Sequence, residues 1–269
     1  MSGKIISIVN QKGGVGKTTT AINLSAYLSE LGHKVLVLDM DPQANATSGL
    51  GMNEGKLDKT VYDLLHDPLL IKEVLYPTPF ENLHIIPSTP ELAGAEVELA
   101  DQVSRETLLR QAITPLKEYY DYIVIDCAPS LGLLTINALV ASDETIIPLQ
   151  CEYFALEGVA HLTNTVQLIK QSLNPSLCIG GIVLTMYDPR TSLNKLVARD
   201  ARQYFEGLVF DTMIPRNVRL AEAPSHGLPV ALYDPKSKGG RYYYQLAKEY
   251  IKNENKYKTR EGLSLSYSQ

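Results

Sequence analysis

Cysteine is scarce in this sequence, and so are long hydrophobic runs and excess positive charge. The three cysteines in 269 residues, Cys127, Cys151 and Cys178, are widely spaced and form no C-x-x-C pair. That excludes a disulfide framework or a cysteine zinc site and leaves buried thiols in a reducing cytoplasm. No apolar stretch is long and pure enough to cross a bilayer. A signal peptide is not expected either, because the N-terminal residues run directly into a β-branched segment. The net charge of −5 argues against a uniformly basic nucleic-acid binder. What the chain does have is an ordinary globular composition, 45% hydrophobic and 20% charged, sufficient for a substantial core. No internal repeat, linker or composition break divides it.

The chain is organised around residues 5–19, IISIVNQKGGVGKTT. A short apolar run over 5–9 breaks into a glycine-rich turn, and residues 17–31 carry an amphipathic helical pattern. Strand, loop and helix form the setting in which a Gly-x-x-x-x-Gly-Lys-[Ser/Thr] pattern marks a phosphate site. Here it takes the compact form Gly13, Gly14, Val15, Gly16, Lys17, Thr18, followed by Thr19. Glycines let backbone N–H groups converge on a polyphosphate with no Cβ in the way. The positive end of the following helix faces the same anion. Lys17 suits the β- and γ-phosphates of ATP and the Thr18 hydroxyl suits Mg²⁺. Lys12 stands outside this scheme, since an ordinary P-loop does not require it and it cannot easily reach phosphates held by its own loop.

Further apolar runs over 34–38, 83–86, 122–126, 144–149, 179–184 and 208–214 read as strands. Helical patterns lie between them at 60–65, 91–119, 131–141, 154–173, 193–205 and 242–251. The 91–119 stretch is interrupted near Ser104, which reads as the cap of a second helix. Apolar positions 156, 159, 162, 166 and 169 fit core packing. The alternation implies an α/β fold, a doubly wound, mostly parallel sheet flanked by helices. Residues 1–252 read as a single domain and 253–269 as a polar, disordered tail. Open parallel sheets bind ligands beyond the carboxyl ends of their strands. Asp39 and Asp41 follow the second strand, where Asp39 could hold the metal ion or its waters and Asp41 could orient an attacking water. Asp126 ends the 122–126 run in the manner of a Walker B carboxylate, meeting Mg²⁺ through water opposite Thr18. An acidic surface turn is the competing reading for the first pair.

Charge is unevenly distributed. Residues 1–185 hold eleven Lys/Arg against twenty-one Asp/Glu, residues 186–241 nine against six, and the remainder five against three. An acidic body with a basic later third could present one cationic face. Lys195, Arg199 and Arg202 share a helix face, open to two readings: a solvated charge stripe or a phosphate-binding surface.

Lys-Gly-Gly-Val-Gly-Lys-Thr, with the extra Lys12, resembles the deviant Walker A motif of the ParA/MinD family of P-loop ATPases. The run Asp39-Met40-Asp41-Pro42-Gln43-Ala44-Asn45 resembles that family's switch I, with alanine at position 44 where glycine is frequent. Cys127-Ala128-Pro129-Ser130 resembles its switch II, and residues 214–227, IPRNVRLAEAPSHG, resemble the chromosome-partitioning (ParA/Soj-type) branch. The resemblance covers residues 3–252 with its motifs in order. It implies an ATP-sandwich homodimer in which Lys12 crosses to the partner's nucleotide, with Lys12, Lys17 and Asp41 as the catalytic set. Pro215 and Asn217 would lie by the adenine, and Arg190 and Arg219 would face DNA. It further implies non-specific binding to double-stranded DNA, slow hydrolysis stimulated by a ParB-type centromere-binding protein, and a cytoplasmic, nucleoid-associated location without membrane attachment.

Three rival readings are weighed against this. A MinD-like membrane-cycling ATPase needs a C-terminal amphipathic helix, and the tail has too few large apolar residues at helical spacing. An iron–sulfur electron-transfer ATPase needs two cysteines framing the dimer axis, and only Cys127 lies beside a switch. A pure ATP-dependent binding switch would keep its output when Asp41 is mutated.

Overall fold

The computed structural model describes residues 3–52, 54–152 and 155–257. Among them the strands are β1 (Lys4–Ile8), β2 (Val35–Met40), β3 (Tyr76–Pro77), β4 (Leu83–Ile86), β5 (Tyr122–Cys127), β6 (Glu144–Gln150) and β7 (Cys178–Thr185). They form one sheet in the order β3-β4-β2-β5-β1-β6-β7, parallel throughout except for β3, which pairs antiparallel with β4. The central strands are apolar on both faces because both faces are covered, as a parallel sheet requires. Every residue of β2 and β5 is buried.

Alternation along β1 separates the two cores. Ile5 packs on one side with Leu36, Leu38, Ile123 and Ile125, beneath helices α3 (Val61–His66), α5 (Leu108–Ile113), α6 (Leu133–Ala141) and α7 (Ala155–Ser172). Ile6 and Ile8 pack on the other with Val35, Val37 and Val124, against α1 (Lys17–Glu30) and α11 (Lys238–Tyr257). The expected inward stripe of α7 is present, with Val159, Leu162, Val166 and Ile169 all buried. The remaining helices are α2 (Asn45–Gly49), α4 (Leu92–Glu98), α8 (Ser192–Tyr204), α9 (Val218–Glu222) and α10 (Val230–Tyr233). The doubly wound, mostly parallel sheet flanked by helices is therefore present. Strand order reverses at β1, so the loop after β1 opens where ligands bind in such sheets.

Four local expectations need correction. Residues 208–214 do not form a ladder strand; they run beside β7, joined to it by a bridge at Ile182–Val209, by the Ile214 N–H donating to the Leu184 carbonyl at 2.8 Å and, just past its end, by a bridge at Tyr187–Pro215. Between the bridges, the N–H groups of Asp211 and Thr212 donate to the Glu249 carboxylate of α11, at 2.6 and 2.9 Å, which takes them out of any ladder. Phe210 fits there because Gly181 has no Cβ, which would come within 2.4 Å of its ring. Ser104 does not cap a helix through its side chain; it sits at φ 60° ahead of a single 3₁₀ turn. The 91–119 stretch breaks into α4, α5 and short 3₁₀ turns, with Pro115 entering the last of them. The closing helix, expected to end at 251, runs on to Tyr257. It is held by the Tyr122 hydroxyl donating to Glu254 at 2.8 Å and by Lys4 within 3.8 Å of the same carboxylate. Phe154 and the tail beyond 257 lie outside the described residues. No helix among the described residues is long and apolar enough to cross a membrane.

Ala44 is the position where the resemblance leads one to expect glycine, and its φ of 51° supplies the reason. A left-handed conformation costs an L-residue roughly 1–2 kcal/mol, whereas glycine adopts it freely at an unfolded-state entropy cost of roughly 0.5–1 kcal/mol. Against this relief stand glycine's entropy and the loss of a buried methyl worth about 0.8 kcal/mol. Ala44→Gly is therefore expected to leave stability in urea within about 0.5 kcal/mol of wild type; a loss of more than about 1 kcal/mol would show that the backbone there is unstrained.

Candidate nucleotide site and basic edge

The β1–α1 loop has the shape of an anion cradle. Gly14 and Gly16 adopt φ of 75° and 90°, closed to other residues without strain. Gly13 and Gly14 have nothing within 4 Å of where a Cβ would stand, so the loop's inner face is open. Gly16 is the N-cap of α1 and provides no side-chain cap, leaving the first N–H groups of a fourteen-residue helix available. The loop is braced from neighbouring strands: the Thr185 hydroxyl donates to the Val15 carbonyl at 2.8 Å, and the Asn10 amide donates to the Pro148 carbonyl at 2.7 Å. Lys17 is buried, and its ammonium folds back to the Lys12 carbonyl at 3.2 Å. Burial holds its pKa below the usual lysine range, opposed by Asp126, Cys127 and Asp41.

Three carboxylates converge beyond the strand ends. Asp39 and Asp126 are register partners on adjacent parallel strands, which sets their side chains next to each other. Their environments differ sharply. Asp39 accepts three hydrogen bonds, one from the Asp41 N–H at 3.1 Å and two from the N–H and hydroxyl of Thr47 at 2.8 Å each. Burial still pushes it up to about 6, against the pull of those hydrogen bonds. Asp126 is equally buried, yet neither of its oxygens has a hydrogen-bond partner among the described residues. Burial and the neighbouring Asp39 raise its pKa well above the carboxylate range; the nearby Thr18 hydroxyl and Lys17 oppose this. Asp41 is nearly buried and accepts from the Gln43 N–H at 2.9 Å, closing its own loop.

Lys12 goes the other way. Its side chain is half exposed and its ammonium meets the Glu152 carboxylate, also half exposed, after β6. Farther along the carboxyl edge, the Tyr187 N–H donates to the Ile214 carbonyl at 3.0 Å and Tyr187 bridges Pro215, joining the loop that carries Arg190 to the segment that carries Arg219. Arg190, 87% exposed, forks onto Asp188 at 3.0 and 2.7 Å. Arg219 meets Glu222 at 2.8 Å and Asp234 at 3.3 Å. Asn217 caps α9 by accepting from the Arg219 N–H at 3.1 Å, which fixes the direction of that segment just after Pro215. On α8, Lys195 and Arg199 are exposed, with Arg199 paired to Asp200 at 3.0 Å. Arg202 turns away from them to Asp211 at 3.3 Å and to the Phe210 and Asp211 carbonyls, where it pins the 208–215 segment. The Tyr187–Pro215 bridge thus ties the loop that carries Arg190 to the segment that carries Arg219, while Arg202 is drawn to a different carboxylate from the other cations of its stripe.

A family model described as an AAA domain matches residues 3–179. The sporulation initiation inhibitor protein Soj of Bacillus subtilis is 55% identical over 251 residues, covering 93% of this chain and 99% of that one. The chromosome partitioning protein ParA of Myxococcus xanthus is 54% identical, covering 94% and 89%. The chain belongs to the ParA/Soj family of chromosome-partitioning ATPases. In three dimensions it is similar to cobyrinic acid a,c-diamide synthase from Mycobacterium smegmatis, solved with bound ADP and magnesium. The TM-score is 0.82 at 35% identity, over 93% of this chain and 95% of that one.

As a ParA/Soj ATPase the protein uses ATP and Mg²⁺, and its own residues fit both. The open glycine cradle, the uncapped α1 N-terminus and Lys17 suit a triphosphate. The partnerless Asp126 carboxylate beside Thr18 suits a divalent cation, whose charge would neutralise both the phosphates and the buried acid. Asp39 is less free for a metal, because its carboxylate is already engaged by Thr47 and Asp41. Glu152, Thr47, Ser88 and Thr185 were not singled out from the sequence. Thr47 lies in α2 just past the 39–45 run, whereas Ser88, Glu152 and Thr185 reach the site from β4's exit, from beyond β6 and from β7, and no local motif marks any of them.

Proposed function

We propose that this ParA/Soj ATPase closes into an ATP-sandwich homodimer that binds double-stranded DNA without sequence preference and leaves it after hydrolysis. The observation that carries the reading is the divergence of two lysines in one loop. Lys17 is buried against its own cradle, whereas the half-exposed Lys12 points out of it and, among the described residues, its ammonium is held by the half-exposed Glu152 carboxylate. An outward lysine beside a phosphate site suits a partner subunit's nucleotide. Lys17 and the loop N–H groups bind the phosphates, Thr18 and Asp126 hold the magnesium ion, and Asp41 orients the attacking water. Pro215 and Asn217 border the adenine.

Arg190 and Arg219, joined through the Tyr187–Pro215 bridge, supply the phosphate contacts to DNA. Their carboxylate partners, Asp188 for Arg190 and both Glu222 and Asp234 for Arg219, are partly exposed, and surface pairs of this kind hold weakly enough for a phosphate to displace them. Dimerisation doubles the number of contacts. A ParB-type centromere-binding protein stimulates hydrolysis and returns the monomer, and the protein works in the cytoplasm on the nucleoid. The apolar side of α11, Tyr243, Leu246, Ala247 and Tyr250, is buried in the core, which disfavours a membrane-cycling role for that helix.

Duplex binding measured with ADP, with ATP, and with ATP plus Asp41→Ala tests the reading. Binding is expected only with ATP and is expected to persist in the variant. Four arginines per dimer give a log–log salt slope of about −3.6, roughly a hundredfold weakening between about 50 and about 200 mM salt. Arg190→Ala and Arg219→Ala should each make that slope shallower by about 2, equally on all sequences. An ATP-dependent dimer with no affinity for DNA would overturn the DNA part of the reading.

A further inference from the structure

Asp41 lies in a loop tied down at both ends, and Thr47 is the tie. The Asp39 carboxylate holds the Asp41 N–H on Oδ1 and both donors of Thr47 on Oδ2. The Ala44 N–H donates back to the Asp41 carbonyl at 2.9 Å, so residues 41–47 form a clasp across the end of β2. The Thr47 hydroxyl makes a second connection, accepting from the Ser88 N–H at 2.9 Å, two residues beyond β4. Asp39, Thr47 and Ser88 are all fully buried. A hydroxyl that donates to one strand's carboxylate and accepts from the next strand's exit has both its proton and a lone pair committed in a site closed to water. α2 is thereby fixed to two adjacent strands of the sheet, β2 and β4.

We infer that Thr47 is a positioning residue for ATP hydrolysis, acting through Asp39 on the placement of Asp41. This rests on the water-orienting role proposed above for Asp41. Without the hydroxyl, Asp39 keeps the Thr47 N–H, the Ser88 N–H loses its acceptor, and α2 is released from β4. The phosphate cradle is built from other residues, so nucleotide binding is left intact while the hydrolytic loop loses its fixed position. Small displacements of a catalytic group cost rate far more than affinity.

The test uses the full chain with Thr47→Val, Thr47→Ser, Asp41→Ala and the Asp41→Ala/Thr47→Val double variant. Two readouts are taken: steady-state ATP turnover with duplex DNA, and amide hydrogen exchange in the nucleotide-free protein. For Thr47→Val, kcat is expected to fall about tenfold with KM for ATP within about twofold of wild type. Exchange at Ser88 and across 41–44 should quicken. Thr47→Ser should restore both, and the double variant should turn over no more slowly than Asp41→Ala alone. Should Thr47→Val fail to fold, Thr47→Ala removes the same hydroxyl without adding a branched methyl. Unchanged exchange across 41–44, a KM that rises in step with the fall in kcat, or an additive double variant would overturn the inference. Full turnover in Asp41→Ala would instead overturn the water-orienting role, and the exchange result would still decide whether Thr47 holds the loop.

Discussion

Asp126→Asn is expected to make the nucleotide-free protein more stable and to disable it as an ATPase. The carboxylate is fully buried, has no well-formed hydrogen bond among the described residues and only the nearby Thr18 hydroxyl to ease its charge, and stands next to a second buried acid. Such a group costs about 1–3 kcal/mol relative to a neutral isostere. For a chain of this size the gain corresponds to a melting temperature higher by about 2–10 °C. The sign of the pH dependence follows from the raised pKa. The folded state holds the Asp126 proton more tightly than the unfolded state, so stability falls as pH rises from the ordinary carboxylate range toward the raised value. The advantage of Asp126→Asn should therefore be larger at pH 8 than at pH 5. Magnesium-dependent turnover should fall by roughly a hundredfold or more, since the site loses the charge facing the metal. Calorimetry of the nucleotide-free protein across pH, paired with an ATPase assay, decides it. A destabilised variant would mean that the acid is satisfied by something other than a bound cation.

The second large effect concerns Lys12. Its pairing with Glu152 is half exposed on both sides, so Lys12→Gln should change monomer stability by no more than about 0.5 kcal/mol. In the dimer the same side chain would meet a triphosphate in a closed interface. Truncating one partner of a buried, charge-assisted contact costs about 2–5 kcal/mol, or at least about 30-fold in affinity. ATP-dependent dimerisation, followed by sedimentation, should weaken by that factor with monomer ATP affinity nearly unchanged. Glu152→Gln should act in the opposite direction, since it releases the lysine. Equal losses of monomer ATP binding and dimerisation would place Lys12 in its own cradle instead.

Much of this was legible in the sequence because its signals are local. A β-branched run, three glycines and a Lys-Thr pair fix β1, the cradle and the start of α1, and strands buried on both faces advertise themselves as short apolar runs. Asp39 and Asp126 could be placed near the metal from their positions at strand ends, but their inequality could not. It arises from Thr47 and Ser88, brought in from α2 and the exit of β4. The 208–214 run misled for a related reason: its composition is that of a strand, while Glu249 on a distant helix takes the N–H groups a ladder would need. Arg202 looked like a member of a basic stripe because helical spacing says which way a side chain leaves, not which carboxylate stands nearby. Ser104 had the composition of a cap and the wrong backbone conformation for one.

That irregular run beside β7 also bears on how copies of the protein can associate. A parallel sheet with bare margins invites strand addition from a neighbour. Here one margin is masked by residues 208–215, anchored by two bridges and a helix carboxylate. The other ends in β3, two residues long and half proline. Neither margin offers a template for edge-to-edge growth. A filament of this ATPase along DNA would have to be joined through helices and loops, whose contacts nucleotide state can make and break, and not through a continuous sheet that hydrolysis could not undo.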